Sequence, residues 1–301
     1  MTFGLKPFLH LEILKSRRGK YGVDRIQKYY QESDWLYRLF WYNLSPYAGM
    51  HFGFWLKGTK THEESLLNQY KEIIRLGKIK KGMDVLDAGC GVGGGAIYIA
   101  KQTGANVKGI TISRNQVATA REKSRRFGLG KKTKFYFGDY SNTNFPKNSF
   151  DIVYGIESVN YANPKIKFLK EAYRILKPKG RLIISDGYCR HEPSNPKENI
   201  ILDNFKKGWK VDDMITLNKM NQEIQNAGFH LIKIIDRTNT IQKSLNRMWW
   251  FAQIATPLVW LSKRIRHPIL QSITDNCLAI IAVNNGVATG LGAYYTHLAI
   301  K

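Results

Sequence analysis

Short apolar runs alternate with amphipathic stretches through the middle of the chain. The runs have strand length and end in glycine or polar turns, while the stretches between them repeat apolar residues at helical spacing. Residues 84–86, 107–112, 133–137, 150–154 and 181–185 predict five strands. Residues 66–76, 96–102, 115–127 and 166–176 predict the helices, with Gly77 and Gly128 as stops. Regular alternation of this kind predicts successive β-α units, hence a doubly wound α/β fold whose mostly parallel sheet carries helices on both faces. Residues 1–65 are basic and aromatic and predict a helical lid, with a dense belt from Tyr29 to Tyr42. Residues 66–188 hold the alternating core. Residues 189–301 predict an acceptor-binding cap, inserted after the fifth strand, and closing strands. Their 189–285 part reads as irregular and amphipathic, and 294–300 reads as a strand.

The first strand runs into Asp87-Ala88-Gly89-Cys90-Gly91-Val92-Gly93-Gly94-Gly95. Glycines tolerate positive φ and let backbone approach a ligand that any Cβ would block. The following helix offers free amides and a positive dipole end. Gly89, Gly91 and Gly94 have the spacing of a dinucleotide loop, which also expects an acidic residue at the end of the second strand. That strand ends instead in Thr111-Ile112-Ser113, and no Gly-Lys-Ser/Thr follows the loop as a Walker motif requires. The acid here is Asp87, ahead of the glycines, where it suits a cationic ligand better than a phosphate. A purely structural glycine turn in another doubly wound protein is the alternative.

Composition narrows the classes. With 301 residues, 43% of them hydrophobic and 12% aromatic, the chain can bury a large core. The longest apolar-aromatic stretch, 248–261, contains Gln253 and Pro257 and falls short of a membrane span. The N-terminus shows no signal-peptide pattern, which predicts a cytoplasmic protein. Cys90, Cys189 and Cys277 fit neither a disulfide framework nor a zinc pattern, so no metal is expected. Cys90 reads as a small residue filling tight space. The net charge of +24 allows nucleic acid or an anionic membrane as partner, or simple solubility. Basic clusters lie at 15–18, 121–126, 131–134 and 263–266. The last stands near Trp249, Trp250, Phe251 and Trp260, a mixture that favours peripheral contact with a lipid–water interface.

Val85-Leu86-Asp87-Ala88-Gly89-Cys90-Gly91 resembles the first motif of the class I S-adenosylmethionine-dependent methyltransferases, a Rossmann-like family. The resemblance implies that Asp87, Gly89, Cys90 and Gly91 wrap the amino-acid end and ribose of S-adenosylmethionine. Gly109-Ile110-Thr111-Ile112-Ser113 with Gln116 resembles the second-strand motif of a lipid-oriented branch. That branch includes cyclopropane fatty acid synthases and sterol side-chain and tocopherol methyltransferases. Thr111, Ile112 and Gln116 would then serve the ribose, although Gln116 also suits a helix surface. Gly138-Asp139-Tyr140 resembles the adenine motif, with Asp139 accepting from the exocyclic amine and Tyr140 covering the ring. Capping the next turn is the alternative for Asp139. Segments 145–153 and 176–182 resemble the family's approaches to the fourth and fifth strands. Met50-His51-Phe52-Gly53-Phe54-Trp55 resembles the entry segment of the tocopherol-like and sterol-like enzymes, which folds over the cofactor. Tyr42 and Trp55 would line that lid or pack in the core.

Methyl transfer from a sulfonium is an in-line displacement that depends on orientation and a dry pocket. The fourth strand ends in Tyr154-Gly155-Ile156-Glu157, and by the same resemblance Ile156 and Glu157 border cofactor and acceptor. Glu157 could position the acceptor or steady a cation. Tyr161 stands where many relatives carry histidine and could orient an acceptor, or simply pack. At an ordinary pKa near 10 a tyrosine is a poor base. His51 is the best imidazole candidate for catalysis, with a structural role as its alternative. The cap is rich in adaptable apolar groups, Trp209 and Trp249 among them, and predicts a greasy acceptor. The expected function is methylation, at carbon, of a hydrophobic small molecule such as an isoprenoid quinone precursor, tocopherol-like phenol, sterol or other terpenoid. The alternative inside the fold is N- or O-methylation of a small polar metabolite, a phosphobase or natural product. Base-amine methyltransferases carry an Asn/Asp-Pro-Pro motif where this chain has Gly155-Ile156-Glu157-Ser158, which argues against a nucleic-acid partner. The intact loop and Asp139 argue against a non-catalytic membrane-binding module.

Overall fold

A computed structural model describes residues 41, 45, 47, 49–262, 264, 265 and 267–301. The expected N-terminal helical segment and nearly all of its aromatic belt, Tyr42 included, lie outside the described residues. In chain order the elements begin with α1 (His62–Gly77), β1 (Asp84–Ala88), α2 (Gly94–Thr103), β2 (Asn106–Thr111) and α3 (Arg114–Arg126). Then come β3 (Thr133–Phe137), β4 (Phe150–Ile156), a 3-10 turn (Val159–Tyr161), α4 (Lys165–Ile175) and β5 (Leu176–Cys189). The C-terminal part holds α5 (Pro196–Trp209), α6 (Leu217–Asn226), β6 (His230–Asp236), α7 (Thr238–Ile254), α8 (Thr256–Ser262), α9 (Pro268–Thr289) and β7 (Gly292–Ile300).

The strands form one seven-stranded sheet in the order β3-β2-β1-β4-β5-β7-β6. The first five strands are parallel, as the alternating units require, and β7 runs antiparallel between β5 and β6. One face packs Phe168 and Leu169 of α4 and Met220 and Ile224 of α6. The other packs Ile73 of α1, Ile97 of α2 and Val117 of α3. Strands covered on both faces explain the short, nearly continuous apolar runs in the sequence. Local signals fix the helix ends. Thr61 Oγ1 accepts from Glu64 N at 3.1 Å, and Glu64 Oε2 accepts from Thr61 N at 3.4 Å. This capping box starts α1 before the first apolar residue of its stripe.

The expectation of irregular structure over 189–285 is corrected: the span holds five helices and a strand. Asn195, Thr216 and His267 cap three of the helices, and proline opens two of them. The edge strand β6 left no alternating signal because most of its side chains are exposed on both faces. Helices α7 and α9 enclose a separate apolar cluster with Phe52 and Phe54, forming the cap. Strands β6 and β7, by contrast, complete the core sheet. The region after residue 188 thus divides in space between cap and core.

A buried lysine ties the end of β4 to the cap side. Lys165 Nζ donates to the carbonyl oxygens of Asn160 (2.8 Å), Ala162 (2.9 Å) and Asp213 (2.8 Å). Burial pulls its pKa down to about 8, opposed by Asp213 and Asp186. Lys165→Met leaves three carbonyls without their donor and is expected to cost about 2–4 kcal/mol in urea denaturation. A loss below about 0.5 kcal/mol would show that these oxygens find other partners.

Candidate active site

The C-terminal ends of the parallel strands open into two adjoining cavities. The smaller, about 410 Å³, lies between the end of β1, the glycine loop and the start of α2. The larger, about 1050 Å³, lies under the cap. Met50 and His51 line both, so they form the wall between them.

Asp87 anchors the smaller cavity. It is 4% exposed at the end of β1, and burial raises its pKa to about 7. The Tyr154 hydroxyl and the Ala96 N–H partly offset that burial. Neither is a cation, so the carboxylate stands ready for a positively charged group. The loop bends sharply over it. Gly89 N and Cys90 N both donate to Ile110 O at 3.0 Å, and Gly93 N donates to Cys90 O at 2.9 Å. Gly89 has φ +91, and a Cβ there would stand 2.4 Å from Ser158 Cβ. Gly91 has φ +50 and faces open space. Cys90 fills a tight gap against Gly109, and burial pushes its thiol pKa well up, which fits packing and not nucleophilic attack. Ile156 also lines this cavity.

The other expected cofactor residues sit beyond that cavity. Thr111 Oγ1 donates to Gln116 Oε1 at 2.7 Å, so the last residue of β2 and the first turn of α3 form a buried pair. Ile112 follows, half-buried in the turn. Asp139 is exposed and its Oδ1 accepts from Ser141 N at 2.7 Å, the turn-capping arrangement. Tyr140 does not lie open as a cover for a ring. Its side chain is buried edge-on to Phe168 at 5.2 Å, and its hydroxyl donates to Ser158 O at 2.6 Å. The apolar ring is better placed in the core, where a carbonyl satisfies the hydroxyl.

Glu157 dominates the polar end of the larger cavity. Its φ is +48, rare for a side-chain-bearing residue. Oε1 accepts from Phe52 N and from the Tyr294 hydroxyl, both at 2.8 Å. Burial raises its pKa to about 8, and Asp186 adds to the effect. Asp186, at about 6 through burial, accepts from Asn160 Nδ2 (2.6 Å), Asn160 N (3.1 Å) and Gly187 N (2.9 Å). Tyr161 lines the same wall. His51 Nδ1 lies 2.8 Å from Phe52 O, which assigns its proton to Nδ1 and leaves Nε2 bare. Burial lowers its pKa to about 4, so His51 is neutral near pH 7 and binds a proton far less tightly than Glu157. The rest of the wall is apolar and includes Phe205, Trp209, Met214 and Met248, and among the described residues no lysine or arginine lines it.

Two aromatic expectations are corrected. Trp55 does not line the acceptor cavity: its indole N–H donates to Ser244 Oγ at 3.1 Å, pinning the entry segment to α7. Trp249 is turned aside against Trp250, ring centroids 5.3 Å apart, because the phase of α7 points Met248 inward. Tyr42 is outside the described residues. Sequence reasoning missed Asp186, Asn160, Tyr294 and Tyr154, and also Tyr70, which lines the smaller cavity. Asp186 was the findable one, since it follows the C-terminal end of the predicted fifth strand, where ligands gather. No group of three potential metal ligands occurs among the described residues.

The sequence profile of the mycolic acid cyclopropane synthetase family matches residues 17–256. A sterol 24-C-methyltransferase of Aspergillus fumigatus is 31% identical over 85% of this chain and 70% of its own length. A phosphoethanolamine N-methyltransferase of Triticum aestivum is 35% identical, but over 59% of this chain and only 34% of its own. The chain thus spans about a third of that relative. In fold, the chain superposes on the cyclopropane synthase MmaA2 of Mycobacterium tuberculosis with a TM-score of 0.77 at 18% identity, over 93% of this chain and 98% of that one. Cavity, loop and similarity converge: the chain belongs to the mycolic acid cyclopropane synthetase family, within the class I S-adenosylmethionine-dependent methyltransferases.

Proposed function

We propose that the chain methylates a neutral, largely apolar acceptor, an isoprenoid or sterol-like lipid, at carbon. The observation that carries this reading is the larger cavity: apolar, free of lysine and arginine among the described residues, and bearing two carboxylates beside the wall it shares with the smaller cavity. A phosphorylated amine would need a cationic phosphate site, and Glu157 and Asp186 would repel its phosphate. A sterol methyltransferase among the relatives accords with the same reading. No described helix is long and apolar enough to cross a membrane.

The smaller cavity suits S-adenosylmethionine. Asp87 is a buried carboxylate with no lysine or arginine partner among the described residues, a match for an ammonium, and the open face at Gly91 admits ligand where a Cβ would intrude. Thr111, Ile112 and Gln116 past β2, and Asp139 past β3, are assigned to ribose and adenine. When bound, the cofactor supplies an electrophilic methyl group. An alkene that accepts it carries a positive charge on the neighbouring carbon. Ionised Glu157, with Asp186 behind it, steadies that charge and can take the proton whose loss restores a double bond. The rings of Phe52 and Tyr294 exclude water from the same space. Neutral His51 holds the wall by its Nδ1–H bond and adds no competing charge.

Two outcomes follow from the carboxylates. Burial makes Asp87 hold its proton toward neutral pH, and a cationic ligand favours its ionised form. Calorimetric titration with S-adenosylmethionine, in buffers of different ionisation enthalpy, is expected to show proton release. Asp87→Asn should abolish that release and weaken binding about a hundredfold; equal release by both proteins would remove Asp87 from the site.

Glu157 generates the second. Its folded pKa lies above its ordinary value near 4.5, so the free enzyme gains the ionised form only as pH rises through about 8. Incorporation of labelled methyl groups into a neutral-lipid fraction, at low acceptor concentration, should climb through that range. Glu157→Gln should flatten the limb and slow turnover about a hundredfold. The shift also predicts that stability falls as pH rises from about 4.5 toward 8, because the folded chain keeps a proton that the unfolded chain has released. An unchanged pH–rate profile in Glu157→Gln would contradict the assignment.

A further inference from the structure

The cap carries an apolar surface that the reaction does not use. Ten large hydrophobic residues are exposed among the described ones, and six of them fall between residues 250 and 269. Trp250 is 60% exposed, Ile254 73% and Trp260 56%, joined by Leu258, Ile265 and Ile269. Trp250 and Ile254 stand four residues apart on one face of α7, and Leu258 and Trp260 are exposed on α8, which follows after Ala255. The opposite side of the same helices is buried: Ile241, Leu245, Met248 and Ala252 of α7 and Val259 of α8 join the cap's apolar cluster. Burial of the inner face is thus complete without the outer row, and among the described residues that row stays exposed.

The charge of this segment is one-sided. Between residues 238 and 274 the sequence has Lys243, Arg247, Lys263, Arg264 and Arg266, and not one aspartate or glutamate. The guanidinium of Arg264 lies 4.3 Å from the ring centre of Trp260, and that of Arg247 lies 5.0 Å from Phe251. Exposed tryptophans interleaved with cations suit the headgroup layer, where the ring rests at the apolar boundary and the cation meets lipid phosphate. A protein partner buried on this face would have to supply acids against cations such as Arg247 and Arg264, whereas an anionic bilayer presents them everywhere.

We infer that the outer face of α7, α8 and the start of α9 is the surface by which the enzyme docks on an anionic lipid bilayer. Helix α7 then stands between membrane and acceptor, since its inner residues Ile241 and Met248 line the larger cavity. The use of this face as the acceptor's route rests on the function proposed above. The docking itself rests on the surface alone.

Vesicle flotation of the full chain tests the docking without any acceptor. Vesicles of phosphatidylcholine with about a third phosphatidylglycerol should capture the protein at low salt, and pure phosphatidylcholine should capture about tenfold less. Raising salt to about 0.5 M should release most of the bound protein. The Trp250→Ser/Ile254→Ser/Trp260→Ser variant should lose about tenfold or more in partitioning. It should bind S-adenosylmethionine as the unaltered chain does, which confirms its fold. Ile232→Ser, an exposed position on β6, serves as control and should float normally. Failure of the unaltered chain to bind anionic vesicles at low salt overturns the inference whatever the variants do. So does undiminished binding by the triple variant, or sedimentation showing a dimer that the triple variant loses while vesicles capture neither protein. A chain that binds vesicles yet methylates no neutral lipid would retain the docking surface and refute the acceptor.

Discussion

Two carboxylates on neighbouring strand ends are buried with no lysine or arginine paired to them among the described residues. Asp87 closes β1 and Glu157 follows β4, which pairs with β1. Removing a carboxylate from water is costly unless a counter-charge replaces the lost hydration. Here the folded chain supplies only hydrogen bonds, and the proton affinities rise to about 7 and about 8 in consequence. The missing positive charge has to arrive with the ligands. In the proposed function it comes with the donor at Asp87 and develops on the acceptor at Glu157. The site is therefore electrostatically incomplete by construction, which is how differential stabilisation of a transient cation is achieved.

The rest of the structure keeps those groups in place. The glycine loop hangs from Ile110 through two amides, and Ser158 supports it through the bond from its hydroxyl to Ala88 O at 2.6 Å. Glu157 is gripped from both sides, by the entry segment at Phe52 and by β7 at Tyr294. The insertion of β7 between β5 and β6 thus brings a tyrosine hydroxyl to Glu157, just past the end of β4. Gln69 of α1 donates to the same hydroxyl at 2.8 Å, so core helix, last strand and acid form one chain of hydrogen bonds.

Much of the core was legible in sequence because it depends on local patterns. Buried parallel strands give short apolar runs, and the loop that needs positive φ at Gly89, Gly91 and Gly93 has to be written in glycine. The cap was less legible. Which of Met248 and Trp249 points inward depends on the phase of α7 against α9, and Trp55 was drawn away from the cavity by a hydroxyl 189 positions further along. Tyr140 shows the same limit: its neighbourhood marks the ligand edge, yet its ring belongs to the core. Tyr294 could not be assigned because its role exists only after β7 is threaded into the sheet. Asp186 differs from these, since it directly follows the apolar run 181–185, whose C-terminal end is legible in the sequence.

The central claim is that buried, cation-starved carboxylates receive their positive charge from the bound donor and the reacting lipid. A crystal structure of the chain with S-adenosylmethionine tests it most directly. The account predicts the ammonium group within hydrogen-bonding distance of Asp87, and the sulfonium methyl at the Met50–His51 wall, directed toward the cavity that holds Glu157. A donor bound with Asp87 out of contact, or with its methyl group turned away from the larger cavity, would contradict it.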